Sequence, residues 1–386
     1  MHNQMNTNAF LGVQGLGALN DNFVKQATLV LFSFGMIPLI GDSSLWTNAA
    51  SGLFILPFLL FSTRAGRWAA TQDYRTAMIR IKALELACAL VAGAGLAFKQ
   101  PLLLLLALFL LGTQSAFFGP IKFAWPARAV PQSELPKLTG MIESLTFVAI
   151  LGGSLIGGAL VYRPSLLILL VVGCAVLGIW LATRLCPMPA AVSTEVAYHD
   201  SEDTKRCRRL ISWFWFLGAS YLTQLGLLAR ELMAIDATQV SYCLAAFALG
   251  VSVGSPLAAR LYQSHRLGWI GLIVLGLALP VLAQFDWRLG LAGLAGLGVA
   301  GGLYVVPIYV RLQTTLTAVE LPQAIALNNR LNAVYMIASA VAGMALLGVL
   351  QITPRDYFWL LALSSLLVAP GVIRFDHHRA QHPDQT

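Results

Sequence analysis

The sequence predicts an all-α polytopic membrane protein with twelve transmembrane helices in two six-helix bundles. Composition, apolar run lengths and an internal repeat predict it. The 386 residues are 58% hydrophobic and only 11% charged, with a mean hydropathy of +0.73, well above the range of soluble domains. The apolar residues fall into twelve runs long enough to cross a bilayer, for which about 20 residues are needed. Two segments half a chain apart carry the same tripeptide in the same context, Glu134-Leu135-Pro136 and Glu320-Leu321-Pro322.

In chain order the expected spans are 9–35, 45–63, 79–98, 101–119, 139–161, 165–185, 210–229, 238–259, 268–285, 289–309, 324–350 and 357–373. The opening MHNQMNTNAF lacks the basic stretch and small-residue cleavage site of a signal peptide, so the first run is expected to stay as a span. The turns at Lys99-Gln100, at Tyr162-Arg163-Pro164 and from Thr353 to Asp356 are short enough to make neighbouring spans antiparallel. Pro120 and Pro307 are expected to end the fourth and tenth spans. The glycines 152, 153, 157 and 158 have the small-residue spacing that lets helices approach closely.

Lysines and arginines set the orientation. Eighteen fall on one side, among them Arg64, Arg67, Arg75, Arg80, Lys82, Lys122, Arg128, Arg184, Lys205, Arg206, Arg208 and Arg209. Lys99, Arg163, Arg288 and Arg355 fall on the other. Both termini are thereby expected in the cytoplasm. The hydrophilic stretch 186–209 reads as a cytoplasmic linker between an N-terminal bundle, 1–185, and a C-terminal bundle, 210–386 with its short tail. Parallel six-helix repeats about an axis along the membrane normal are the major facilitator arrangement, with substrate near the midplane.

Against this apolar background, GALNDNFVK at residues 17–25 stands out. A charge at the centre of a span costs about 2.5–3.5 kcal/mol on insertion scales, so such residues normally face a bundle interior or a wet cavity. Asp21 and Lys25 share a helix face four residues apart. Two readings follow for Asp21, a transport role or a structural ion pair with Lys25 or Arg330; Lys25 is either a cavity wall or a snorkelled anchor. Gln14, Asp21, Lys25 and Thr28 make one stripe on the first span, and Ser220, Gln224 and Glu231, with Arg230 beside them, make its counterpart on the seventh. Glu143, Thr146 and Ser154 line the fifth span, and Asn328, Asn332, Tyr335 and Ser339 the eleventh. Glu85 reads most simply as a partner for Lys82 or Arg80.

Four stretches, GALNDN at 17–22, MIRIK at 78–82, FFGPIKF at 117–123 and TGMIES at 139–144, resemble the lysophospholipid transporter branch of the major facilitator superfamily. The resemblance is densest in the first half. In two places the chain departs from the family pattern. Ala70 stands where the superfamily loop carries an aspartate, leaving Asp73 as a substitute in the gate, and Asn332 stands where the family tends to have a glutamate. The resemblance implies movement of lysophospholipids, especially lysophosphatidylethanolamine, across the Gram-negative inner membrane for reacylation. It also implies a partner, an acyltransferase coupled to an acyl carrier protein synthetase, expected here as a separate protein.

A lysophospholipid needs a cation for its phosphate and a carboxylate for its amine. Arg230 or Lys25 could meet the phosphate and Asp21 or Glu143 the amine. Asn22, Glu231, Asn332 and Tyr335 complete the candidate substrate-binding set, and Lys122, Arg75, Arg80 and Arg330 are the candidate gating residues. Two other functions fit the same composition, an ion-coupled transporter of a small soluble solute and a non-transporting scaffold for an acyltransferase. The chain is expected to be a monomer without cofactor. No catalytic or metal-ligand pattern is found: six histidines lie in tails or loops and five cysteines lie far apart. The formal charge of +8 is scattered and forms no nucleic-acid-binding face.

Overall fold

The computed structural model describes residues 2–191, 198, 200–224, 237–262, 271, 280–282 and 286–381. The long elements among them are helices: α1 (His2–Ser33), α2 (Ser43–Ala70), α3 (Tyr74–Ala97), α4 (Pro101–Ala129), α5 (Leu135–Ala159), α6 (Pro164–Thr183), α7 (Glu202–Thr223), α8 (Ala237–Arg260), α9 (Trp287–Thr315), α10 (Glu320–Gly343) and α11 (Pro354–Gln381). Eight helices among the described residues are long and apolar enough to cross a membrane. The expected ninth span lies almost wholly outside the described residues.

Local signals account for most helix starts. Asp73 caps α3 by accepting from the Thr76 N–H at 2.8 Å, and Ser201 caps α7 through the Thr204 N–H at 3.2 Å. Thr317 and Glu320 bond reciprocally, Thr317 N to Glu320 Oε2 at 3.2 Å and Glu320 N to Thr317 Oγ1 at 3.3 Å, which is a capping box at the head of α10. The repeated Glu-Leu-Pro therefore marks equivalent helix starts: Leu135 opens α5 as Glu320 opens α10. Both expected proline stops fail. Helix α4 continues past Pro120 and Pro126 to Ala129, and α9 past Pro307 to Thr315. A proline removes one ladder hydrogen bond, and inside a packed membrane bundle the freed groups are re-satisfied locally.

Two compact units emerge from the packing. The first comprises Met1–Val130, Ala149–His199 and Thr317–Arg330; the second Pro131–Val148, Asp200–Leu316 and Leu331–Thr386. Helices α5 and α10 thus each contribute residues to both units. In the first unit the spacing of small residues governs contact. A methyl at Gly157 would lie 2.5 Å from the Phe23 carbonyl oxygen, and one at Gly153 2.6 Å from that of Leu19, so α1 and α5 touch backbone to backbone. A methyl at Gly66 would lie 2.6 Å from Ala326 Cβ, where the head of α10 meets α2. Residues Phe23, Val24, Ala27, Cys88, Ala92, Leu104, Leu108 and Val171 form the apolar core.

In the second unit α8 and α9 pack closely through Gly250, Gly254, Gly298 and Gly302. The head of α5 joins them: Ser144 Oγ donates to the Ser252 carbonyl at 2.8 Å and Thr139 Oγ1 to Gln313 Oε1 at 2.7 Å. Phe147 adds ring contacts to Phe214, Trp215 and Phe247.

Candidate functional site

The polar cluster of the first unit is built on α1, α3 and α4. Asp21 is 7% exposed. Its carboxylate accepts from Ser115 Oγ at 2.5 Å and from Gln114 Nε2 at 3.5 Å, both on α4. Lys25, one turn along α1, stands over the Phe54 ring at 5.3 Å from its centroid. Asn22 is buried, with Nδ2 donating to the Ala18 carbonyl at 2.7 Å; its Oδ1 has no partner among the described residues. Asn20 Nδ2 donates to Glu85 Oε1 at 3.1 Å, and Lys82 Nζ donates to Glu85 Oε2 at 2.6 Å.

Glu85 therefore takes Lys82 as partner, and the pair is 1% and 0% exposed. Lys82, counted among the basic residues that set the orientation, lies buried inside α3 against α1 and α6. The reason is the room left by two glycines. A methyl at Gly17 would sit 2.5 Å from Lys82 Nζ, and one at Gly178 3.1 Å from Lys82 Cδ. Phe118 faces the ammonium at 5.5 Å from its ring centroid. Two carboxylates, Asp21 and Glu85, and two ammonium groups, Lys25 and Lys82, thus share the interior of one unit. Their formal charges cancel, as burial in a membrane requires. Gln114 and Ser115 were absent from the expected set, and the polar pair Gln-Ser inside the apolar run FLLGTQSAFFGP was the available signal. The Lys82–Glu85 pairing is one of the two that the sequence offered for Glu85, which was left outside the substrate-binding set.

The gating candidates are spread along three helices: Arg75 and Arg80 in the first two turns of α3, Lys122 two turns before the end of α4, and Arg330 in the middle of α10. Arg75 donates to the Thr183 carbonyl at 2.9 Å and Arg80 to Gln72 Oε1 at 3.2 Å. Lys122 is half-buried, 4.9 Å from the Phe123 ring centroid, and Arg330 is exposed. Asp73, the substitute considered for the missing loop aspartate, accepts from Thr76 N and Oγ1 at 2.8 Å each and from Met188 N at 2.7 Å. Partial burial works to raise its pKa, but those three hydrogen bonds and nearby Arg75 outweigh it and hold the carboxyl below the usual value.

In the second unit Glu143 is buried near the head of α5. Asn332 accepts from Ser212 Oγ at 2.8 Å and Ser339 from Ser220 Oγ at 3.0 Å, lacing α7 to α10 with hydroxyl and amide groups. Tyr335 borders a cleft between α7, α10 and α11. Arg230 and Glu231 lie outside the described residues. Groups of three or more metal-ligating side chains are not found among the described residues.

The described helices have the major facilitator fold. Over 96% of its length the chain superposes on the E. coli fucose:proton symporter FucP with a TM-score of 0.75 at 12% identity, covering 98% of that chain. The human organic anion transporter MFSD10 gives 0.75 at 13% identity over 95% of this chain and 99% of that one. A bacterial homologue of the iron transporter ferroportin, in an outward-facing state, gives 0.69 at 16% over 95% and 99%. In sequence the chain is similar to the lysophospholipid transporters LplT of Escherichia coli O1:K1 and Shigella boydii serotype 4. Each is 26% identical over 331 residues, 79% of both chains. No family model matches the sequence.

Proposed function

We propose that this protein moves lysophospholipids, lysophosphatidylethanolamine above all, across the bacterial inner membrane by alternating access, for reacylation by a separate acyltransferase coupled to an acyl carrier protein synthetase. The observation that carries the proposal is the four-charge cluster on and around the GALNDN segment, in a chain whose sequence relatives are lysophospholipid transporters. A zwitterionic headgroup presents one anion and one cation. Asp21 and Lys25 offer the complementary pair one helical turn apart, backed by the neutral donors Gln114 and Ser115. Asn22, whose buried carbonyl has no partner among the described residues, supplies an acceptor for a glycerol hydroxyl or ammonium proton. Lys82 and Glu85 satisfy each other and so act as the fixed frame that positions Asn20 and the first turn of the motif. The protein works as a monomer with both termini in the cytoplasm.

The test is uptake of labelled lysophosphatidylethanolamine into proteoliposomes, run beside a labelled soluble organic cation. The proposal expects the lysolipid to enter and the soluble cation to be ignored. Inertness toward every lysolipid, with transport of a soluble solute, would overturn it. Collapsing the proton and sodium gradients separately identifies the driving ion.

A further inference from the structure

The cleft beside Tyr335 belongs to the second unit and lies apart from the four-charge cluster. It has a volume of about 420 Å³. Glu202, Arg206, Arg209, Leu210 and Trp213 of α7 line one wall, a single stripe spaced for one helix face. Leu367, Pro370, Gly371 and Arg374 of α11 line the other. Gly371 lets α7 come close: a methyl there would stand 3.4 Å from Leu210 Cδ2.

The mouth is basic. Arg209 and Arg374 are exposed and make no hydrogen bond or ion pair to any described residue. Arg206 is held loosely by Asp203 at 3.8 Å, and the one acidic lining residue, Glu202, is bonded by Lys205 at 2.7 Å and stands within the field of Arg206 and Arg209, which leaves the mouth with more positive than negative charge. The lining also includes the apolar Leu210, Leu367, Val368 and Pro370, and carries the indole N–H of Trp213, a donor with no acceptor among the described residues. From the mouth an apolar track runs along the outer face of α11, where Leu360, Leu363 and Leu367 are 45%, 54% and 81% exposed at i, i+3 and i+7. A cationic mouth joined to a bare apolar stripe matches an amphiphile with an anionic head. A soluble anion would leave the stripe unused.

We propose that this cleft binds an anionic diacyl phospholipid of the leaflet on the linker side. Arg206, Arg209 and Arg374 hold the phosphate, the Trp213 N–H takes an ester or phosphate oxygen, and an acyl chain lies along the leucine stripe. The site goes beyond lysophospholipid transport and stands whether or not that activity is found. A resident lipid there fastens α7 to α11 at the end of the chain's linker.

The test is native mass spectrometry of the delipidated full-length protein with phosphatidylglycerol, phosphatidylcholine and inorganic phosphate in separate arms. Each juxtamembrane arginine contributes enough to change affinity about 5-fold. Arg209→Ala with Arg374→Ala is therefore expected to weaken phosphatidylglycerol about 30-fold and to leave the weak phosphatidylcholine signal unchanged. Phosphate is expected not to displace the lipid. Equal retention of phosphatidylcholine, displacement by phosphate, tighter binding of lysophosphatidylethanolamine than of phosphatidylglycerol, or indifference to the double substitution would each overturn the site. Should the alanine pair fail to fold, Arg209→Lys with Arg374→Lys is expected to keep the lipid and Leu367→Glu to lose it, and the reverse outcome overturns the proposal.

Discussion

The Lys82–Glu85 pair offers the sharpest perturbation of the buried frame. Its atoms are 2.6 Å apart and both side chains are essentially inaccessible, so solvent screening does not discount the interaction. At an effective dielectric of 20 the attraction is about 6 kcal/mol, which is offset by several kcal/mol of desolvation for each ion. The pair is thus near balance as a pair, whereas removing one member strands the other and costs about 3–5 kcal/mol. Lys82→Met should be the more damaging, because it leaves Glu85 unneutralised near Asp21, whose carboxylate already feels the Glu85 charge. Glu85→Gln keeps the volume and an acceptor for Asn20 and should be milder. Joining the two substitutions restores charge balance, so the double variant should be more stable than Lys82→Met alone by about 2 kcal/mol, a coupling within the range seen for groups in one network. Thermal unfolding of detergent-solubilised protein, followed by fluorescence size-exclusion, reads this as a drop of about 10 °C for the lysine variant and a partial recovery for the double. Single variants within 2 °C of the parent, or a double equal to the sum of the singles, would refute the account of a mutually dependent buried pair.

Asp21→Asn keeps an acceptor for Ser115 and removes only the charge, so lysophosphatidylethanolamine uptake should fall at least ~10-fold, about 1.4 kcal/mol in binding, with folded yield nearly intact. Loss of the folded protein would assign Asp21 to structure instead. Gly157→Ala places a methyl 2.5 Å from the Phe23 carbonyl and should cost about 1–3 kcal/mol by overpacking, measured as a lower unfolding midpoint; Gly173→Ala, with nothing within 4 Å of the added methyl, is the matched control and should be neutral or slightly stabilising. Asp73→Ala should cost about 0.5–2 kcal/mol through the lost cap of α3. Because the folded carboxyl titrates below its unfolded value, its contribution is complete above the ordinary carboxylate range and is lost as pH falls through the folded pKa. Unfolding midpoints of parent and Asp73→Asn from pH 7 to pH 3 should therefore differ constantly at first and converge in acid; a gap that widens in acid would contradict the sign.

The helical class and the apolar spans among the described residues were legible in the sequence because both depend on local quantities. Span length follows from apolar runs, and the Glu-Leu-Pro repeat followed from side chains that act within three residues of a helix start, as Thr317 and Glu320 do. Asp21 stood out for the same reason: one carboxylate inside an apolar run is costly wherever the run folds. Its partners were not legible, since Ser115 and Gln114 lie more than ninety residues away on α4, and their register against α1 depends on packing alone. Lys82 was counted among the orienting residues by arithmetic that takes every lysine near a loop as an anchor. Gly17 and Gly178 decide its position, and a glycine shows its effect only when the helix facing it is known. Pro120 and Pro307 misled for a related reason. A proline stops a helix in water, where the broken ladder has no replacement structure to lean on, but α4 and α9 cross it within a bundle.

Both units bury charge, but they place it differently. The first holds two carboxylates and two ammonium groups on α1 and α3, whereas the described part of the second buries Glu143, Arg208 and Arg311, the arginines paired with Asp200 and Asp203, and joins α7 to α10 through the neutral bonds Ser212–Asn332 and Ser220–Ser339. Asn332 is the position where a family carboxylate was expected, and the structure gives it a hydroxyl partner that a carboxylate would also accept. Nothing in that contact demands a charge. Asn332→Glu should therefore add a charge to the second unit without displacing its Ser212 bond.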